Sequence, residues 1–279
     1  MLGYVVTGLG VGAGFALVGI GLVVIYRVTN VVNFAQGAFA VLGAMLAGSL
    51  LSAGLPHGLA EVTAVLALAA IGAGVGLVAI GRPGTDPRTS LIVTLGLGVL
   101  AYAVEVLIWG DQPRSFPGLA GSIEIAGTPV QTHYLLIIGV TIPVFLLAAL
   151  FFARTDLGKA LSACAMNPYA ARVVGIDVRR MGLIAFALGG AFGALAGVLV
   201  TPVQQVTFDS DVVLIVNGFA AAILGGLTRP AVTLAGGLLL GVAQTVISGL
   251  GGGAFRLEVA LVLMLAVMVA QAGRAGRVA

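Results

Sequence analysis

Apolar runs of about twenty residues follow one another along almost the whole of this 279-residue chain, and that repetition restricts its fold more than any motif does. Nine such segments can be drawn, over 3–25, 31–52, 59–80, 90–109, 133–152, 182–202, 212–228, 230–248 and 257–272. The runs are long and lack the period-2 alternation of a membrane barrel, so they predict helices. The expected class is an all-α polytopic membrane protein with about nine transmembrane or membrane-embedded helices (range 8–10), forming one transmembrane domain over 1–279. Segment 212–228 is short and carries Asn217 at its middle, and it reads as a re-entrant or broken helix as readily as a span.

Composition closes the other routes. Only 8% of the residues are charged, against about a quarter in soluble domains. A water-facing surface cannot be built, which excludes a soluble enzyme, a nucleic-acid binder and a disordered chain. The start, Met1-Leu2-Gly3-Tyr4, lacks the basic residues that open a signal peptide, so the first run is expected to be retained.

Basic residues set the orientation. With the N-terminus outside and every segment crossing, Arg27, Arg82, Arg88, Arg154, Lys159, Arg172, Arg179, Arg180, Arg229, Arg274 and Arg277 share one side, 11 of the 13 Lys and Arg. Arg114 and Arg256 fall on the other. The crowded side is cytoplasmic by the positive-inside rule, which puts the C-terminus there and favours an odd number of spans.

Small residues form stripes. Ala185, Gly189, Gly193 and Gly197 recur every four residues, Gly8, Gly12, Ala16 and Gly19 do something similar, and Gly237 pairs with Gly241. Such stripes let helix backbones approach closely. They suit static packing and sliding helices alike.

Several chemistries lack their residues. The predicted span centres carry no charge, and Glu105, one turn before Trp109, is placed to reach the outer interface, as an interfacial or packing carboxylate rather than a transport residue. One cysteine, Cys164, and two scattered histidines, His57 and His133, make no metal site. An acid–histidine proton relay is absent. A sodium-coupled carrier built on broken-helix carbonyls stays open. The nearest approach to a phosphate-binding loop is Gly158-Lys159, but Ala153 and Ala160 occupy positions that need Gly and Ser or Thr. The chain therefore reads as a non-enzyme, and any ATP-driven work must be powered from another subunit.

The loop 153–181 is neither span nor simple turn and encodes two short helices. Asn167 can cap the second, Pro168 fits its first turn, and Gly175 can take the left-handed stop. Tyr169 and Val173 then share a face over 168–174, with Arg172 beside them. So short a helix is unstable alone. It must dock, either on its own helix ends or on a cytoplasmic partner.

Three stretches carry a resemblance. They are Arg154-Thr155-Asp156-Leu157-Gly158-Lys159-Ala160 continuing through Ala170-Ala171-Arg172-Val173-Val174-Gly175-Ile176-Asp177; Ile25-Tyr26-Arg27-Val28-Thr29-Asn30-Val31-Val32-Asn33-Phe34-Ala35-Gln36-Gly37; and Gly218-Phe219-Ala220-Ala221-Ala222-Ile223-Leu224-Gly225-Gly226-Leu227. Together they resemble the permease subunits of branched-chain (hydrophobic) amino acid ABC importers. The resemblance implies a bacterial inner-membrane permease that pairs with a second, similar or identical permease subunit. It also implies two ATP-binding cassette ATPases that use ATP and Mg, and a periplasmic or lipid-anchored substrate-binding protein; the chain itself binds no cofactor. The segment around Asn167, Pro168, Tyr169, Arg172, Val173 and Gly175 corresponds to the family's coupling helix, although Met166-Asn167 stands where relatives often carry an acidic pair. The outer loop 110–132, with Asp111, Arg114 and Glu124, would receive the binding protein. Importers of urea, short amides and small carboxylates share the pattern.

Asn33 and Gln36, three apart at the start of the second segment, form an amide face with Asn30 nearby. They satisfy broken helix ends or line the inner mouth of a pathway. Thr94, Asn217 and Gln244 are further polar residues inside apolar spans, either interhelical hydrogen bonds or pathway contacts.

Overall fold

The computed structural model describes residues 1–81, 87–125, 127–252 and 256–275. Its axis is α1 (Leu2–Thr29), whose apolar window is 89% buried against 17% for α4 (Pro87–Trp109). A helix apolar all round belongs at the centre of the protein, and α1 is ringed by α10 (Pro230–Ile247), α8 (Val178–Val200), α9 (Ser210–Leu224) and α5 (Thr132–Arg154). α2 (Gln36–Ser52) and α3 (Leu59–Ala79) pack on α8, while α11 (Arg256–Ala275) packs on α9 and α10. Each of the nine apolar segments thus holds a helix. Among the described residues six helices are long and apolar enough to cross a bilayer: α1, α3, α4, α5, α8 and the one that runs from Pro230 to Gly251.

The two ends of the bundle differ. At one end Arg27 lies 5.9 Å above the ring of Phe152, next to α6 (Asp156–Met166) and α7 (Pro168–Val173). This is the basic end; Arg82 and Arg277 lie outside the described residues. At the other end a hairpin of β1 (Ser122–Ile125) and β2 (Thr128–Gln131) is added to the otherwise helical fold. Ile123 and Ile125 alternate with polar neighbours, and Gly127 takes the positive φ of 77° that the tight turn after Ile125 needs.

The segment drawn as 31–52 is also corrected. Helix α1 stops at Asn30, which adopts a left-handed conformation (φ 56°) and donates its N–H to the Tyr26 carbonyl at 2.8 Å. The chain then runs non-helically to Ala35. Gln36, the first residue of α2, donates to the Gly189 carbonyl and lies against Gly21, eight residues inside the end of α1. At 1.5 Å per residue that is about 12 Å into the bundle. α2 has 17 residues and α9 has 15, too few for the roughly 20 of a full crossing. α9 ends early because Gly225-Gly226-Leu227 closes it, with the Leu227 N–H on the Ala222 carbonyl at 2.9 Å. The first turns of these two short helices meet: Gly37 abuts the Asp211 carbonyl.

Glycine makes the close packing work. The stripes of α1 and α10 face each other, so that a methyl on Gly12 would lie 2.8 Å from the Leu238 Cα and one on Gly8 2.6 Å from the Val242 Cα. On α8 Gly197 abuts the Ala40 carbonyl of α2, while Gly190 meets Gly72 of α3. By contrast Gly139 on α5 has open space where a side chain would go. Gly12→Val is therefore expected to destabilise the protein by about 1–3 kcal/mol or more through overpacking. Gly139→Ala should be neutral or stabilise by roughly 0.5–1 kcal/mol. Thermal unfolding in detergent, followed by size-exclusion fluorescence, measures both.

Candidate functional site

The basic end exposes several large apolar side chains outside the crossing helices, among them Leu157, Met166, Tyr169, Val173 and Val174. Thr155 caps α6, accepting from the Gly158 N–H at 3.0 Å and donating to the Phe151 carbonyl at 2.7 Å. Gly158, Leu161 and Cys164 form the buried side of α6. Burial pushes the Cys164 thiol above its ordinary pKa, partly offset by the nearby Arg172 charge. Asn167 then caps α7, its Oδ1 accepting from Tyr169 and Ala170 N–H, both at 3.0 Å. Pro168 occupies the first turn, as the sequence predicts, and Gly175 (φ 87°) ends the unit with Ile176 N–H on the Ala171 carbonyl at 2.9 Å. The helix ends at Val173, one residue short of the predicted 168–174. Ala171 turns inward, whereas Tyr169 is 75% exposed and Val173 72%. Arg172 is exposed as well, and Met166 and Val174, to which the sequence reading gave no docking role, extend the same surface. Their signal was present: both are apolar and flank the cap and the stop.

Inside the bundle the amides gather into two groups. Asn33 and Gln36 meet, Nδ2 to Oε1 at 3.3 Å, and Gln36 Nε2 donates to the Gly189 carbonyl at 2.9 Å. Asn33 Oδ1 accepts from Ala35 N–H, and Thr94 Oγ1 accepts from Phe34 N–H and shares its one proton between the Leu91 carbonyl at 2.9 Å and the Val32 carbonyl at 3.3 Å. The two amides share no helical face as expected, because Asn33 precedes α2; a side chain from α4 and a backbone from α8 brace the open strand instead. The second group is Gln244 on α10 donating to Asn217 Oδ1 at 2.6 Å, with Asn217 Nδ2 on the Val213 carbonyl. All five residues are buried.

At the hairpin end a cleft of about 620 Å³ opens between the tip of α2 and the loop after α4. Met45, Gly48, Leu51, Phe116, Thr201 and Arg114 are among its walls. Arg114 pairs its backbone with Val206 and donates from its guanidinium to the Trp109 carbonyl at 3.0 Å. Trp109 in turn donates to Ser49 Oγ at 2.7 Å, tying α4 to α2. His133, expected in or beside an outer loop, is buried at the start of α5, where Nδ1 accepts from Leu119 N–H and Nε2 donates to the Leu199 carbonyl. Glu105, expected as an interfacial or packing carboxylate, is completely buried and does not reach the surface.

Comparison with known proteins agrees with this architecture. Residues 4–272 match the family described as branched-chain amino acid transport system / permease component. A probable branched-chain amino acid transport permease protein LivH of Methanocaldococcus jannaschii is 29% identical over 271 residues, covering 91% of this chain and 85% of its own. The high-affinity branched-chain amino acid transport system permease protein BraD of Pseudomonas aeruginosa is 27% identical, covering 95% and 92%. Among solved structures, PsaBC from Streptococcus pneumoniae in complex with Fab has the same fold, with a TM-score of 0.55 at 14% identity over 95% of this chain and 90% of that one.

The amide groups generate a stability prediction. Gln36→Leu removes the second bond on the Gly189 carbonyl and leaves one Asn33 donor without its partner, so it should cost about 1–3 kcal/mol. Gln244→Leu should cost less, about 0.6–1.7 kcal/mol, because the unfolded chain in a membrane finds other partners. Unfolding can be followed by maleimide labelling of Cys164, which is buried in the folded protein.

Proposed function

Since the chain belongs to the branched-chain amino acid transport permease family, we propose that it is the membrane permease subunit of an ATP-binding-cassette importer carrying branched-chain and other hydrophobic amino acids inward. It is a multi-pass membrane protein, placed by this reading in a bacterial inner membrane. The basic end faces the cytoplasm and the hairpin end the outside, so that residues 1–279 form one permease domain with nine membrane-embedded helices and the coupling loop 153–181. Its working partners are a second, similar or identical permease subunit, two ATPases that hydrolyse MgATP, and an external substrate-binding protein docking on the hairpin end. The family assignment favours amino acids over urea, short amides or small carboxylates, and an ATPase-driven cycle over an ion-coupled one.

One observation carries the coupling step: Tyr169, Arg172 and Val173 project from a capped helix whose inner face is already docked through Ala171. Such a surface, apolar and outside the crossing helices, is built for a protein partner. Movement of α7 passes directly into α6 through Asn167 and into α8 through 174–177. Helix α8 holds the joint between α1 and α2 through the Gly189 carbonyl and Gln36. ATP-driven closure of the ATPases therefore rocks α8 and shifts the amides Asn33 and Gln36 together with Thr94, while Asn217 and Gln244 keep α9 with α10. On this reading the five residues border the pathway and line it only when the bundle opens.

Proteoliposomes holding this chain with its ATPases and binding protein test the reading. Leucine uptake should require ATP and persist when sodium and proton gradients are collapsed; uptake that follows an ion gradient without ATP overturns it. Tyr169→Ala combined with Val173→Ala should leave the fold intact, because both side chains are exposed. It should lower uptake about tenfold or more, as removal of two aromatic or aliphatic docking anchors does. Asn33→Leu should reduce uptake more than it reduces assembly with the ATPases.

A further inference from the structure

Helix α8 is stopped by Pro202, which has no N–H to give to the Val198 carbonyl. The next N–H, that of Val203, bonds the Val200 carbonyl at 3.1 Å, and so the Leu199 carbonyl is left to a side chain. His133, in the first turn of α5, supplies the donor from Nε2 at 2.9 Å. At the other edge of the ring Nδ1 accepts from the Leu119 N–H at 3.0 Å. A carbonyl only accepts and an amide N–H only donates, so these two partners fix the tautomer of the ring. One buried imidazole thereby joins the end of α8 to the loop 110–121.

That loop is built to move as a lid. Gly110 (φ 79°) turns the chain out of α4 and Gly121 (φ 105°) turns it into β1. Its start is pinned by the Trp109–Ser49 bond. Its body lies flush on the end of α8: a methyl on Gly118 would be 2.5 Å from the Pro202 Cβ and 2.7 Å from His133 Nδ1. Arg114 and Val206 exchange backbone bonds of 2.9 and 3.0 Å, but Val206 belongs to the non-helical stretch after α8. His133 is the link that reaches the helix itself. On the opposite side the loop meets α2 through apolar contact alone, Phe116 packing beside Ala47. Such a contact slides, whereas the bonds to α8 hold. Ser115, Thr201 and Val206 therefore form one wall of the cleft, and Met45 and Ser52 of α2 form the other.

We infer that His133 is the joint through which α8 works an outer gate, carrying the loop 110–121 toward and away from the tip of α2. The inference rests on the importer reading and adds the route by which a push on α7 reaches the opposite face. Helix α8 has 23 residues, about 35 Å of rigid rod at 1.5 Å per residue. Asp177 caps its start next to α7, with Oδ1 accepting from the Arg179 and Arg180 N–H groups. Leu199 lies in its last turn. Rocking of α8 moves the loop only while the ring holds both. Without the ring α8 still rocks and the ATPases still turn over, but the cleft no longer opens and closes in step. His133 is thus a positioning residue and touches no substrate.

Spin labels on Ser52→Cys and Ser115→Cys, with Cys164→Ala removing the native thiol, measure the width of the cleft in the permease–ATPase complex. Pulsed EPR is recorded without nucleotide and with ATP plus vanadate, and leucine uptake and ATP hydrolysis are followed in proteoliposomes with the binding protein. The wild type should give two different distances. His133→Phe should give the same distance in both states, keep its hydrolysis and lose about fivefold or more in leucine imported per ATP, the factor that one lost buried hydrogen bond corresponds to. His133→Asn retains an acceptor for Leu119 and His133→Gln a donor for Leu199, and both should uncouple, because the joint needs its two ends. Gly118→Val, which lifts the loop off the ring without altering it, should uncouple as well. A wild-type distance that ignores nucleotide overturns the inference. So does leucine per ATP within about twofold of wild type in His133→Phe. Parallel loss of hydrolysis and uptake in every variant, or failure of all four to assemble, also overturns it, since His133 then only holds the fold. Wild-type vesicles that import no leucine with ATP overturn the importer reading itself.

Discussion

The structure depends on the satisfaction of backbone hydrogen bonds in surroundings that offer no water. A helix meets this demand internally, but the strand between α1 and α2 has no ladder of its own, and its bonds come largely from side chains. Thr29 Oγ1 serves Val31 N–H, Thr94 serves Phe34, Asn33 serves Ala35, and Gln36 ties the whole segment to Gly189. Asn33, Gln36 and Thr94 are therefore gathered where the helical ladder is interrupted. The interruption shortens α2 and brings its first turn against that of α9. It also makes α8 the partner on which both α1 and α2 rest.

Close approach without side chains does the remaining work of assembly. Since lipid tails are as apolar as leucine, association relies on dispersion contacts and fit. The glycines of α1, α8 and α10 allow those contacts along most of their length. The outward faces of α3, α4 and α5 carry Leu, Ile and Val instead. Large apolar side chains thus cover the outside as well as filling the core around Phe39 and Phe186, and the small residues mark the lines where backbones touch.

Much of this was legible in the order of residues, though unevenly. The nine apolar segments each hold a helix, and α7 was readable almost to the residue, because capping is local and Asn167, Pro168 and Gly175 each act within a turn of themselves. The stripes Gly8–Gly12 and Gly237–Gly241 were visible, but not that they face each other. The open strand at 30–35 was missed because Val31, Val32 and Phe34 continue the apolar run, and only Asn30 marks the stop. The hairpin was missed inside a loop, although Ile123 and Ile125 alternate with polar residues before Gly127. Pairing of Asn217 with Gln244 and the sealing of Glu105 depend on which helices are neighbours. Periodicity says which face of a helix is apolar, not what covers it.

Asn167 ends α6 and begins α7 at the same time, so a single residue joins the two helices. Substitutions on the exposed face leave that geometry untouched. An inserted or deleted residue does not: each one turns the following helix by about 100° relative to the preceding one. Tyr169 and Val173 would then be carried round toward the bundle and Ala171 out of it. The fold of this stretch is accordingly tolerant of exchanges on its exposed face and strict in length.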